Sequence, residues 1–203
     1  MPQVSLDEFV EGVVSGQRLG SFLTDTVPAL AAKPDRADLI FRAKQRSLDK
    51  PLILMAAAIE DLWPYVAGSR VERQIWQQIA ECYWPGALTL VLPASSIVPS
   101  VLNPTDPSTI GVRVPNHAIA QSILQRTGPL ATTSANRSGQ PALQTLAEIA
   151  AEFPDALTLA SSETLPLGSG QSASGQPSTV AKWTDCQWQI LRQGAIKLTN
   201  MGV

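Results

Sequence analysis

Cysteine and histidine are almost missing from this chain, which has Cys82, Cys186 and a single His117. Two cysteines give no disulfide framework and no paired spacing for zinc. One histidine leaves little material for a histidine-built metal site or a Ser-His-Asp triad, so His117 is expected to be structural. Long apolar runs are missing as well. No stretch approaches the ~20 residues of a membrane span, and the start shows no basic segment leading into an apolar run. A cytoplasmic protein without membrane contact is expected. Neither sign of charge dominates: 15 Lys and Arg against 17 Asp and Glu leave −2. Anion or nucleic-acid binding must therefore come from local clusters rather than a global basic field. The familiar glycine devices fail too. "GQSASGQP" spaces Gly170 and Gly175 like a phosphate loop, but no Lys-Ser/Thr follows and no strand precedes. No dinucleotide fingerprint appears, so a nucleotide site here would be of another kind.

What is present is ordinary globular material, 44% hydrophobic and 16% charged over 203 residues. That fits one domain spanning 1–203 with a sizeable core. Ser5 and Glu8 form a capping-box pattern ahead of Leu6, Phe9, Val10, Val13 and Val14 at helical spacing, with Gly16 as the stop. "RLGSFL" reads as a strand leading into "TDT", and Asp35 as the cap of a helix through Lys44. "PLILMAA" is a buried-strand run. Helices are expected at 59–67 and 70–83, then strands in "WPGALTLVLPA" and "STIGVRVP". "NHAIAQSILQRTG" is an Asn-capped helix, followed by a strand over Leu130–Thr133. Thr145 and Glu148 open another helix to about Phe153, residues 161–177 read as a flexible loop, and "STVAKW" and "WQILR" close the chain. Interleaved strands and helices with few obvious hairpins indicate an α/β class with a parallel or mixed sheet.

The polar residues cluster at the ends of these strands. In "PLATTSANRSG" an apolar run empties into hydroxyls and an amide, which is either a loop or a strand end delivered to a polar ligand. "FRAKQRSLDKPL" places Lys44 and Arg46 two apart. They point the same way on extended backbone and could grip phosphate, or they are a solvated helix end suited to the dipole. "LTDTVPAL" sets Thr24, Asp25 and Thr26 after a strand, as a ligand site or a hydroxyl turn. Arg113 interrupts an apolar strand near Thr109, either on an exposed face or aimed at an anion, because an unpaired buried charge is costly. Ser178, Thr179 and Arg192 repeat the theme near the last two strands.

Taken in order, these segments resemble the YrdC-like family of threonylcarbamoyl-AMP synthases. The family's Pro-Thr-Asp/Glu-Thr-Val-Tyr-Gly-Leu is represented by "LTDTVPAL", and its Lys-x-Arg followed by Lys/Asn-Pro-Leu by "KQRSLDKPL". Trp-Pro-Gly-x-Leu-Thr appears as "WPGALTL", Val-Arg-x-Pro-x-His as "VRVPNH", and Ser-x-Asn within "TTSANRSG". Ser-Thr-Val and Leu-Arg-x-Gly follow as "PSTV" and "LRQG". Each piece is weak alone, whereas the ordered set spans almost the whole chain.

The resemblance implies a twisted mixed parallel and antiparallel sheet with flanking helices and a large concave cavity. It implies a nucleotidyltransferase that joins L-threonine, bicarbonate and ATP, as substrate and with Mg²⁺, into L-threonylcarbamoyladenylate and pyrophosphate. The product serves tRNA N6-threonylcarbamoyladenosine formation through a threonylcarbamoyl-transferase complex. Lys44 and Arg46 are the implied catalytic pair. With Thr109, Ser134, Asn136 and Arg192 they would hold ATP, while Thr24, Arg113, Thr133 and Ser178 would hold threonine. No protein metal ligands are implied. The chain departs from the family at Leu23, Pro28 and Ala29. Pro28 removes an aromatic wall and an N–H, and Ala29 lacks glycine's backbone freedom. These changes fall on the threonine side. The alternatives are a non-catalytic relative binding tRNA or double-stranded RNA, or an adenylating enzyme for another amino acid.

Overall fold

The computed structural model describes residues 3–45, 47–137, 139–143, 145–160 and 173–198. In chain order the elements are β1 (Gln3–Val4), α1 (Leu6–Val14), β2 (Gly20–Phe22), β3 (Ala29–Ala32), α2 (Asp38–Lys44), β4 (Ile53–Met55) and α3 (Arg70–Tyr83). Then come β5 (Leu88–Pro93), β6 (Thr109–Arg113), α4 (Ala118–Thr127), β7 (Leu130–Ser134), α5 (Leu146–Glu152), β8 (Thr158–Leu159), β9 (Thr179–Thr184) and β10 (Gln187–Arg192). Strands form an eight-stranded sheet ordered β10-β9-β5-β6-β4-β7-β3-β2, beside a small parallel β1-β8 pair. Parallel pairing occurs at β4-β6 and β5-β9, and the other neighbours in the large sheet run antiparallel. The class is the expected mixed α/β.

Local signals explain most of the helices. The Ser5–Glu8 and Thr145–Glu148 capping boxes form as expected, and a third at Ser69–Glu72 starts α3. Other expectations need correction. The helix expected over 59–67 is a set of turns around a 3₁₀ turn at Trp63–Tyr65, where Pro64 supplies no N–H to extend an α-helix. Asp35 lies in a 3₁₀ turn, Pro34–Arg36, and α2 is capped by Ala37 instead. His117, not Asn116, is the N-cap of α4, without a side-chain capping bond. Hairpins β2-β3 and β9-β10 are present, although β3 reads "ALAA", a composition with weak strand signal. No helix among the described residues is long and apolar enough to cross a membrane.

Strand alternation divides the sheet into two faces. One face carries Leu54, Leu90, Val112, Ala131 and Ala181, paired neighbours across five strands. All five are buried in the main core with Ile40 and Phe41 of α2, Trp76 and Ala80 of α3, and Ile149 of α5. The opposite face carries the row Lys182–Val91–Gly111–Ile53–Thr132–Ala31. Helices α1 and α4 cover only its β2-β3-β7-β4 side, packing Phe9, Val13, Ile119 and Ile123 onto Phe22, Ala31, Leu130 and Met55. No residue of β5, β6 or β9 joins that second cluster. Among the described residues no helix covers this part of the sheet, and there the polar residues meet.

Candidate active site

A cavity of about 600 Å³ lies over the uncovered face. Its floor is Thr89 and Val91 of β5, Thr109, Gly111 and Arg113 of β6, Ile53 and Met55 of β4, Val180 and Lys182 of β9, and Thr132 and Ser134 of β7. Thr26–Ala29 on one side and Pro177, Ser178, Leu191 and Arg192 on the other form walls. The turn between β2 and β3 reaches three places along the sheet to meet Arg113 on β6. Residues 174 and 175 tie onto that turn, their amides donating to the carbonyls of Asp25 and Thr26 at 3.0 Å each. Residues 161–172 of the expected loop lie outside the described residues.

Arg113 is 2% exposed and therefore demands partners. Its Nη2 donates to Asp25 Oδ1 at 2.7 Å, Nη1 to Thr26 Oγ1 at 2.8 Å and Nε to the Gly86 carbonyl at 3.0 Å. These bonds use three of five guanidinium N–H donors. Burial lowers its proton affinity, Asp25 raises it, and nearby Arg192 lowers it further. Arg113 remains a cation, locked in orientation, at the floor of the cavity. The anion that Arg113 meets in the structure is Asp25.

Arg192 belongs to edge strand β10, where a bulge lets Ile190 pair with Ala181 and Arg192 with Val180, leaving Leu191 extra. Its Nε and Nη2 donate to the Ser178 carbonyl at 3.1 and 2.9 Å. The Ser178 hydroxyl lies 2.9 Å from that of Thr89. Ser178, Arg113 and Arg192 all stand on the cavity lining.

The β7 end gathers a second group. Lys44 ends α2 and is 1% exposed, so it is not a solvated helix end. Gln45 takes left-handed backbone (φ 47°) rather than an extended conformation. The Lys44 ammonium donates to the Ser134 carbonyl and, at 3.2 Å, to Asn136 Oδ1. Ser134 Oγ donates to that Oδ1 at 2.5 Å, while Asn136 Nδ2 bonds the Gln140 carbonyl at 2.5 Å. A cation, hydroxyl and amide from distant segments thereby share one network, of which Ser134 is on the cavity lining while Lys44 and Asn136 are not. Arg46 lies outside the described residues.

Thr109 and Thr133 also line the cavity, but Thr24 does not. Its side chain is fully buried, donating to the Val27 carbonyl at 2.7 Å and accepting from the Thr26 amide at 3.2 Å. Thr24 builds the turn; Thr26 faces the cavity. Residues the sequence reading missed include Thr89, Asn103, Asp106 and Lys182. Thr89 offered a faint signal as the lone hydroxyl in "LTLVL". Pro28 and Ala29 do stand on the wall. Ala29 pairs in β3 opposite Ser134 and lacks positive φ, so alanine fits that backbone without strain.

His117 is buried with its Nδ1 unpartnered; burial lowers its proton affinity and the Asp25 charge partly restores it. Among the described residues no group of three or more His, Cys, Asp or Glu side chains could hold a metal ion.

Comparisons with known proteins bear on the family and the fold. A family model described as "Telomere recombination", Sua5_yciO_yrdC, matches residues 14–194. The threonylcarbamoyl-AMP synthase of Klebsiella pneumoniae is 37% identical over 147 residues, 70% of this chain and 76% of that enzyme. A crystal structure of P. abyssi Sua5 complexed with L-threonine superposes with a TM-score of 0.79 at 30% identity, covering 95% of this chain and 56% of that one. E. coli YciO superposes with a TM-score of 0.75 at 26% identity, covering 93% and 88%. This chain therefore spans little more than half of the archaeal Sua5.

Proposed function

This chain belongs to the Sua5/YciO/YrdC family, and from that premise we propose that it is an L-threonylcarbamoyladenylate synthase. The observation carrying this reading is a single cavity lined by Arg113 and by Ser134, the latter bonded to the buried Lys44 behind it. An anionic nucleotide and an amino-acid carboxylate need such a pair of receivers. The reaction begins when the free amine of threonine attacks bicarbonate or CO2 to give a carbamate. A carbamate oxygen then attacks the α-phosphorus of ATP as the bond to the β-phosphate oxygen breaks, and pyrophosphate departs.

Arg113 receives the threonine carboxylate through its remaining donors, while Ser178 and Thr133 complete that subsite. Lys44, Ser134 and Asn136 receive the phosphates and neutralise charge that builds during transfer. Arg46 is assigned to the same group on the motif, and Thr109 and Arg192 to the nucleotide. No histidine stands among the described lining residues, and the protein works chiefly by orientation and electrostatics. Mg²⁺ would come coordinated to the ATP phosphates, easing their charge. The reaction is cytoplasmic, and the labile product passes to a threonylcarbamoyl transferase acting on tRNA.

Incubation with ATP, bicarbonate and Mg²⁺ should release pyrophosphate only when threonine is added. Release without threonine, or none with it, refutes the assignment. Because Pro28 and Ala29 line the cavity, a second reading keeps the chemistry and changes the amino acid. Greater turnover with another amino acid would favour it.

A further inference from the structure

We propose that Asp106 reads the sugar of the nucleotide, its carboxylate accepting the ribose 2′- and 3′-hydroxyls. The inference rests on the adenylate-forming reading above. The cavity is polar at both ends of β6, with an apolar centre between them that Lys182 and Thr132 flank. Arg113, Thr89, Ser178 and Arg192 gather at one end, Gly111, Val91 and Ile53 lie in the middle, and Asn103, Thr105, Asp106 and Thr109 stand at the other. Four residue steps along the strand take Thr109 to Arg113, about 13 Å.

Asp106 is held in place there. Asn103 Oδ1 accepts from the Asp106 amide at 3.3 Å and from Thr105 Oγ1 at 3.4 Å, while Asn103 Nδ2 donates to Thr109 Oγ1 at 3.1 Å. Thr109 Oγ1 in turn donates to Asp106 Oδ2 at 3.1 Å, and Ser108 Oγ donates to Oδ1. The loop is thus braced, and the carboxylate stands on the cavity wall with 46% of its side chain exposed. Lys182 Nζ approaches Oδ2 only to 3.9 Å, beyond a good hydrogen bond.

An ionised carboxylate only accepts hydrogen bonds. It repels phosphate, so it turns the triphosphate away, toward Lys44, Ser134 and Asn136 on the β7 side. Its two oxygens, each with lone pairs to spare, suit two adjacent O–H donors. On ATP that group is the vicinal diol of ribose, the same partner an acidic side chain takes in dinucleotide sites. Thr109, already expected at the nucleotide, then acts with Asp106 as one unit.

The test is calorimetric titration of the full chain with ATP, 2′-deoxy-ATP, 3′-deoxy-ATP and inosine triphosphate. Wild type, Asp106→Asn and Asp106→Ala are compared, after thermal melting shows that each variant folds. Wild type should bind the deoxynucleotides at least tenfold more weakly than ATP. Asp106→Asn should lose about tenfold in ATP affinity and bring the ATP-to-deoxy ratio close to one, with discrimination against inosine triphosphate unchanged. A wild type indifferent to the 2′- and 3′-hydroxyls, a variant that keeps the ratio, or a variant that alters only the inosine ratio overturns the ribose assignment. The synthase reading still stands in those cases if threonine-dependent pyrophosphate release persists. Failure of wild type to bind ATP at all sinks both.

Discussion

Breaking the Asp25–Arg113 pair should cost far more than an exposed ion pair would. The Arg113 side chain is 3% exposed and Asp25 16%, with 2.7 Å between Nη2 and Oδ1. Removing one partner of a buried pair costs about 3–5 kcal/mol, because the other charge is stranded. Asp25→Asn preserves shape while removing the charge, and Arg113→Met roughly preserves volume. Each should lower stability by about 3 kcal/mol, which at 2–4 °C per kcal/mol for a chain of this size is roughly 6–12 °C in Tm. The double variant carries no stranded charge. It should lose about 3–4 kcal/mol in total, of which the bonds from Arg113 to Thr26 and Gly86 account for about 1 kcal/mol each. Urea denaturation of the four proteins measures a coupling energy, expected near 2–3 kcal/mol. Additivity within about 0.5 kcal/mol would mean the pair does not form in solution. The orientation assigned to Arg113 would then have no basis.

Three other perturbations probe the remaining walls. A Cβ at Gly194 would lie 2.2 Å from the Pro177 carbonyl oxygen and 2.4 Å from the Ser178 carbonyl carbon. Gly194→Ala should therefore push the Arg192 segment off Ser178, lowering Tm by roughly 4–8 °C for about 2 kcal/mol of overpacking, and weaken ATP binding in calorimetry. His117 has its folded-state pKa lowered by burial. Its neutral form is then fully tolerated above the unfolded value near 6.5, and stability is lost as pH falls below it, because the unfolded chain takes up the proton first. His117→Gln should flatten the decline in Tm between pH 7.5 and 5.5, and an unchanged decline would refute this. Lys44→Met should weaken ATP binding by at least tenfold in the same titration while leaving the Arg113 coupling intact.

How much of this was legible in the sequence depends on the range of each interaction. Capping boxes at Ser5 and Thr145 were readable because cap, helix and partner lie within four residues. The strand β3 was not, because "ALAA" becomes a strand only through its antiparallel neighbours β2 and β7. Arg113 could be flagged by its charge in an apolar run, yet its partner Asp25 lies 88 residues away, outside any local pattern. The burial of Lys44 likewise depends on Ser134 and Asn136, about 90 residues distant. Thr24 and Thr26 were indistinguishable by composition; only the turn decides that one hydroxyl faces inward and the other toward the cavity. Asp106 carried no signal of its own in the sequence, and its place on the cavity wall comes from the fold.

The most direct measurement is a crystal structure of this chain with L-threonine and a non-hydrolysable ATP analogue. The account predicts both ligands in the one cavity, the threonine carboxylate on Arg113 and the phosphates against Lys44, Ser134 and Asn136. Ligands bound on separate faces, or phosphates seated at Asp106, would contradict it.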